Sequence, residues 1–224
     1  MMAEGAKEPV PLPANDFDPD DLVILLVGPE KQKMVVHDPQ ITAHSEFCAA
    51  ALNKEWVEGQ TREIKLPEEE PEVISCYIEH AYFNKLPTDI YTTTSPGEDK
   101  EEGYKLLAQI YVVAERLLGF DCRNHILQEF LRLTNLLCTT GHRWNPTCVP
   151  INIIYQGTTP GSPARRLLVD IHSGYAREEW YPSDAYVHPS FLMDLVRRLL
   201  HNVESFKTVK AFRHLDLKGD DYRV

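Results

Sequence analysis

Asp21-Leu-Val-Ile-Leu-Leu-Val-Gly28, Lys33-Met-Val-Val-His37 and Glu63-Ile-Lys-Leu66 decide how this chain is read. The first is an apolar, β-branched-rich run between Asp-Pro-Asp-Asp and Gly-Pro, hence a buried strand followed by a turn. The second is its natural hairpin partner, and Pro39 ends the pairing because it has no N–H to donate. The third alternates as a half-exposed strand does. Between them, Ile41 to Leu52 reads as short helix, with Ser45 as N-cap for Phe47–Leu52.

Outward from this nucleus the chain turns helical. Glu68-Glu-Glu-Pro71 puts anions and a proline where a helix N-terminus favours both. Val73, Ile74, Tyr77, Ile78, Ala81 and Tyr82 follow as one apolar stripe. Residues 87–102, with a Thr triplet and Ser-Pro-Gly-Glu-Asp-Lys-Glu-Glu, read as an exposed acidic loop. A mostly buried helix is expected over 104–118, with Leu118 on one of its apolar lines and Gly119 as C-cap. Another is expected from about Cys122 to Leu137, with Ile126, Phe130, Leu133 and Leu137 inward. Ser162-Pro163 opens a helix with Leu167, Leu168 and Ile171 inside and Gly174 at its end. Residues 189–203 form another, with Leu192, Leu195, Val196, Leu199 and Val203 as its apolar face. The proline-rich residues 1–20 read as a disordered lead-in, and the tail from Lys218 as polar and frayed.

Several of these motifs, in this order, resemble a BTB (POZ) domain. The carriers are the Asp21–Gly28 strand, Met34-Val-Val-His37, Ser45-Glu-Phe47, Glu63-Ile-Lys-Leu-Pro67, Pro71-Glu-Val-Ile-Ser-Cys-Tyr-Ile-Glu-His-Ala-Tyr82, and Tyr111-Val-Val-Ala-Glu-Arg-Leu117 followed by Cys122-Arg-Asn124. The resemblance covers about 115 residues, half the chain. Trp56-Val-Glu-Gly-Gln60 and the helical C-terminal part are most similar to the fungal members. Asp38-Pro39 stands where the family usually carries lysine. The resemblance implies an α+β fold, a small sheet capped by helical hairpins, over residues 20–137, with an all-helical extension over 145–215. It also implies a non-catalytic docking module that associates with itself or adapts a partner such as a cullin-type ubiquitin ligase. The family's ligase adaptors carry a hydrophobic-x-Glu element between the early helices and the third strand, and Trp56-Val57-Glu58 stands at that place. An exposed ring anchors and a nearby carboxylate sets register. Tryptophan is also highly buried on average, which would leave Trp56 covering a core edge and Glu58 merely solvated.

Other chemistry reads faintly. Cys138-x₃-His142-x₅-Cys148 lacks the fourth ligand and paired short spacing of a structural zinc site. His37 and His44 sit at element ends, where a hydrogen-bonded structural histidine is the ordinary reading. Phosphate loops, dinucleotide fingerprints and nucleophile elbows are absent from the sequence. Arg165-Arg166 and Arg197-Arg198 lie on the polar sides of two helices as separate pairs, which is usually a solvated face. No cofactor, metal or small-molecule substrate is expected.

Charge refines the partner. The 224 residues carry 23 basic and 34 acidic groups, net −11 with histidine neutral. Residues 1–135 hold 12 basic and 25 acidic groups, net −13, and residues 136–224 hold 11 and 9, net +2. This disfavours sequence-independent binding to nucleic acid or an anionic membrane, and directs the docking module toward a basic surface. The alternative is a nuclear regulator whose BTB unit dimerises while its C-terminal helices bind protein or nucleic acid. Five cysteines in an odd count, no secretory signal and no long apolar run point to an intracellular, reducing compartment.

Overall fold

A computed structural model describes residues 21–92, 97–136, 145–175, 181 and 186–208. The three sequence runs that decide the reading form one sheet of order β2-β1-β3. Strand β1 (Leu22–Val27) pairs antiparallel with β2 (Gln32–His37), Leu22 opposite His37 and Val27 opposite Gln32. It pairs parallel with β3 (Glu63–Leu66), Ile24 opposite Glu63. Val23, Leu25 and Val27 are buried on one face of β1 and Leu26 on the other. A central strand covered on both faces has no reason to alternate, which is why its sequence is a continuous apolar run.

Helix α1 (Asp38–His44) follows β2 directly, with Pro39 in its first turn, where a missing N–H breaks no helical bond. Ser45 ends α1 and caps α2 (Glu46–Ala51), its Oγ accepting the Cys48 N–H at 3.0 Å. Helix α3 (Val57–Thr61) leads into β3, and α4 (Pro71–Phe83) begins at the expected proline. Val73, Ile74, Tyr77 and Ala81 are buried as the stripe requires; His80 is buried with them, while Ile78 and Tyr82 are half-buried. Tyr77 Oη donates to the His44 carbonyl at 2.7 Å, tying α4 to the end of α1.

The chain divides into two compact units at Leu86/Pro87. The second holds a 3₁₀ turn (Pro87–Ile90) and five helices: α5 (Gly97–Arg116), α6 (Phe120–Asn135), α7 (Cys148–Gly157), α8 (Pro163–Tyr175) and α9 (Pro189–Thr208). Helices α5 and α6, read from the sequence as part of the 20–137 module, fall in this second unit, where α5 packs on α7 and α6 on α5. A Cβ on Gly157 would lie 2.5 Å from the Val112 side chain, so glycine permits the close approach of α7 to α5. The protein is mixed α+β, with three strands and nine α-helices among the described residues.

Three local expectations are corrected. The acidic stretch ending at 102 is not all loop: α5 starts at Gly97, and Lys100 is buried. An anion-rich segment after a proline is also what a helix start favours, because the N-terminal dipole attracts negative charge. Leu118, not Gly119, takes the left-handed position after α5 (φ +53); it is exposed, and Gly119 donates to the Ala114 carbonyl at 2.7 Å. On α9, Phe191 and Leu195 are buried, but Leu192, Val196 and Leu199 are exposed. Val203, Leu137, residues 1–20 and the tail fall on positions whose side chains or backbone lie outside the described set. No described helix is long and apolar enough to cross a membrane.

Buried polar groups knit the second unit. Glu129, buried in α6, receives Arg132 Nε and Nη2 at 2.6 Å each, and this contact keeps the Arg132 pKa raised. The same guanidinium donates to the carbonyls of Tyr91 and Thr88 at 3.0 and 2.9 Å, fastening the 3₁₀ segment to α6. Tyr111 Oη lies 3.2 Å from Ser162 Oγ, which donates to Glu115 at 2.7 Å. Burial raises the Tyr111 pKa to about 12, so it remains a phenol throughout the physiological range.

Candidate functional site

Residues 52–62 form a tight reversal that presents Trp56. After α2 the chain turns through Asn53, whose side-chain oxygen accepts the Glu55 N–H at 3.1 Å and whose carbonyl accepts the Trp56 N–H at 2.9 Å. Trp56 is the N-cap of α3 in extended conformation (φ −98°, ψ 157°), and its carbonyl accepts the Gln60 N–H at 3.2 Å. Gly59, buried, makes this reversal feasible: a Cβ there would stand 2.2 Å from the Asn53 carbonyl oxygen and 2.8 Å from that of Leu52. Any side chain at position 59 would force the backbone of α3 off the end of α2.

The result is an exposed apolar pair. Trp56 is 62% and Val57 68% exposed, and Glu58 is half-exposed in the first turn of α3. Trp56 thus does not cover a core edge. Glu58 lies two positions further on, and neighbours at that spacing do not face each other on a helix. The structure therefore offers an aromatic–aliphatic anchor with a carboxylate on an adjacent flank. The platform is fixed from behind by Arg62, in the left-handed conformation (φ +57) at the end of α3. Its guanidinium binds Asp38 at 2.6 Å, and its carbonyl accepts the Ile24 N–H at 2.9 Å. Asp38 is consumed in this ion pair.

Of the two histidines named from the sequence, His37 is tied to α4 through Tyr82. The Tyr82 hydroxyl accepts the His37 N–H at 2.8 Å and lies 2.7 Å from His37 Nδ1. Cys138 and His142 lie outside the described residues. Cys148 opens α7, a position that lowers a thiol pKa when solvated, yet burial raises it instead and Glu101 adds to the rise. Burial also raises Cys48 to about 11 and pushes Cys76 and Cys122 up. Burial thus favours the protonated form of all four thiols.

A second arrangement was not legible in the sequence. The two arginine pairs, on α8 and α9, line one surface cleft of about 410 Å³ together with Asp194 and His201. Arg165 is not on a solvated face: it is buried, its Nη2 donates to the Tyr155 carbonyl at 2.8 Å and its Nε to Thr158 Oγ1 at 2.9 Å. It therefore satisfies carbonyls at the C-terminus of α7, where the dipole favours a cation, and its guanidinium carbon stands 4.6 Å above the Tyr155 ring. Arg198 binds Asp170 at 2.6 Å, linking α9 to α8. Each pair alone is unremarkable in sequence; only the packing of α8 on α9 joins them.

The sequence matches no protein-family model, and no curated protein shows significant similarity to it.

Proposed function

We propose that the chain is a non-catalytic protein-interaction module of the BTB (POZ) type, which self-associates, docks a protein partner such as a cullin-type ubiquitin-ligase scaffold, or does both. Trp56 and Glu58 contribute to that docking. The observation that carries the reading is the exposure of Trp56 and Val57 on a backbone fixed by Gly59 and the Asp38–Arg62 ion pair. A large ring held rigidly in solvent loses little entropy on binding and gains most from burial, which is the property of an interface anchor. The β2-β1-β3 sheet, with three short helices between its two outer strands and a longer one after β3, supports the fold side of the proposal. The suppressed thiols support the non-catalytic side. An intracellular, reducing setting goes with the free state of Cys48, Cys76, Cys122 and Cys148.

The test is co-precipitation of the full chain with a cullin-type scaffold, alongside its molecular mass by light scattering. Trp56→Ala with Glu58→Lys is expected to abolish capture while circular dichroism stays unchanged, since both side chains are solvent-facing. Capture undiminished in the folded double variant refutes the assignment of these residues.

A further inference from the structure

We propose that the cleft between α8 and α9 binds a phosphomonoester dianion. Its charged lining is Arg165, Arg166, Asp194, Arg197, Arg198 and His201, over a floor at Val169. Two guanidiniums are held in place by the fold, Arg165 by the end of α7 and Arg198 by Asp170. Two remain at the mouth. Arg166 is exposed and forms no ion pair with a described residue, and Arg197, 73% exposed at its side chain, reaches Asp194 at only 3.4 Å. Fixed cations behind and adjustable ones in front suit a ligand that enters from solvent and is then clamped.

Charge selects the ligand. Among the described residues, four guanidiniums against the lining carboxylate of Asp194 and that of Asp170, which pairs with Arg198, leave a surplus of two positive charges. A phosphomonoester brings about −1.5 to −2 at neutral pH and three acceptor oxygens, which matches that surplus as a monovalent carboxylate does not. The planar fork of arginine binds two phosphate oxygens at once, so arginine and not lysine is the expected residue at such a site. Helix α8 begins at Pro163, so the exposed Arg166 lies in its first turn, where the dipole disfavours a cation, and an anion at the mouth relieves that repulsion.

Access is open on one side: a Cβ on Gly161, at the rim, would meet nothing within 4 Å. A polynucleotide fits less well. Non-specific strand binding needs a cationic track along the backbone and stacking aromatics, whereas here the cations converge on one cleft of a chain with net charge −11. The proposal is independent of the docking surface at Trp56.

The experiment is calorimetric titration of the full chain at constant ionic strength with inorganic phosphate, O-phosphoserine, serine, an octapeptide carrying phosphoserine, its unphosphorylated twin, and a single-stranded oligonucleotide. Phosphate and O-phosphoserine are expected to bind and serine not. The double variant Arg166→Ala/Arg197→Ala, which removes only exposed side chains, is expected to weaken binding by about tenfold or more, and Arg166→Lys/Arg197→Lys to restore part of it. A phosphopeptide at least tenfold tighter than O-phosphoserine assigns the ligand to a phosphorylated partner chain; equal affinities assign it to a free phosphomonoester. The proposal is overturned by no heat from phosphate or O-phosphoserine at millimolar concentration, by unchanged affinity in the double alanine variant, or by tighter binding of the oligonucleotide.

Discussion

Gly59 is where a single atom controls the candidate docking surface. The space a Cβ would need is filled by two backbone carbonyls, which cannot rotate away as a side-chain end can. Gly59→Ala is therefore expected to cost about 1–3 kcal/mol, the usual range for forced overpacking, and to reduce partner capture although Trp56 is intact. Urea unfolding and co-precipitation of the same preparation check both; equal stability would mean α3 relaxes freely. The thiols give a second residue-scale prediction. Cys48 and Cys122 are buried with raised pKa values, whereas Cys76 and Cys148 are half-buried. Mass mapping after mild alkylation at pH 8 should show Cys76 and Cys148 modified first, with Cys48 and Cys122 protected until urea unfolds the chain. Capping at Ser45 and the proline start at Pro71 were readable because such signals are local. The exposure of Trp56 was not, since it depends on a turn enforced by a glycine whose neighbours in space the sequence does not name.

Among the elements, the 3₁₀ segment shows how one guanidinium fastens a short turn to a helix. Arg132 spans Glu129 and the carbonyls of Thr88 and Tyr91. Arg132→Ala leaves Glu129 buried with this charge partner gone and frees the turn from α6. A loss of about 3 kcal/mol is expected, at the low end for a broken buried pair because Arg132 is partly exposed. Faster amide exchange confined at first to 87–92 would confirm the mechanism, and uniform destabilisation would contradict it. The helices also mark the limit of periodicity. On α9 the 3.6-residue pattern puts Leu192, Leu195, Val196 and Leu199 on one face, but of these only Leu195 is buried, beside Phe191, which the pattern left out. Pattern identifies which residues share a face; only the partner helix decides which face is covered. The α8–α9 cleft is the same lesson in polar form, for Arg165 and Arg197 are far apart in sequence and meet only through tertiary packing.

At the scale of the molecule, the charge asymmetry remains a property of sequence, while pH sensitivity is a property of packing. His172 on α8 lies among the Tyr181 hydroxyl, which it meets through Nδ1, the edge of Phe191 at 5.3 Å between ring centroids, and the Pro146 backbone. Burial lowers its pKa from 6.5 to about 4, outweighing the Pro146 contact that acts in the other direction. The unfolded chain therefore takes up a proton near pH 6.5 that the folded chain refuses until about pH 4. Stability from this group is complete above pH 6.5, declines as pH falls, and is lost by about 3 kcal/mol once pH drops through 4. Glu101 works against this trend, because burial raises its carboxyl pKa and the folded state then gains from protonation. The two are separated by His172→Gln, which keeps a polar side chain but cannot titrate. Urea unfolding of both proteins from pH 7.5 to 4.5 is expected to show the wild type losing stability on acidification more steeply than the variant, even though the variant starts lower at neutral pH. Parallel curves would place the acid sensitivity elsewhere in the molecule, whereas a flattened curve in the variant would trace it to one imidazole between α8 and α9.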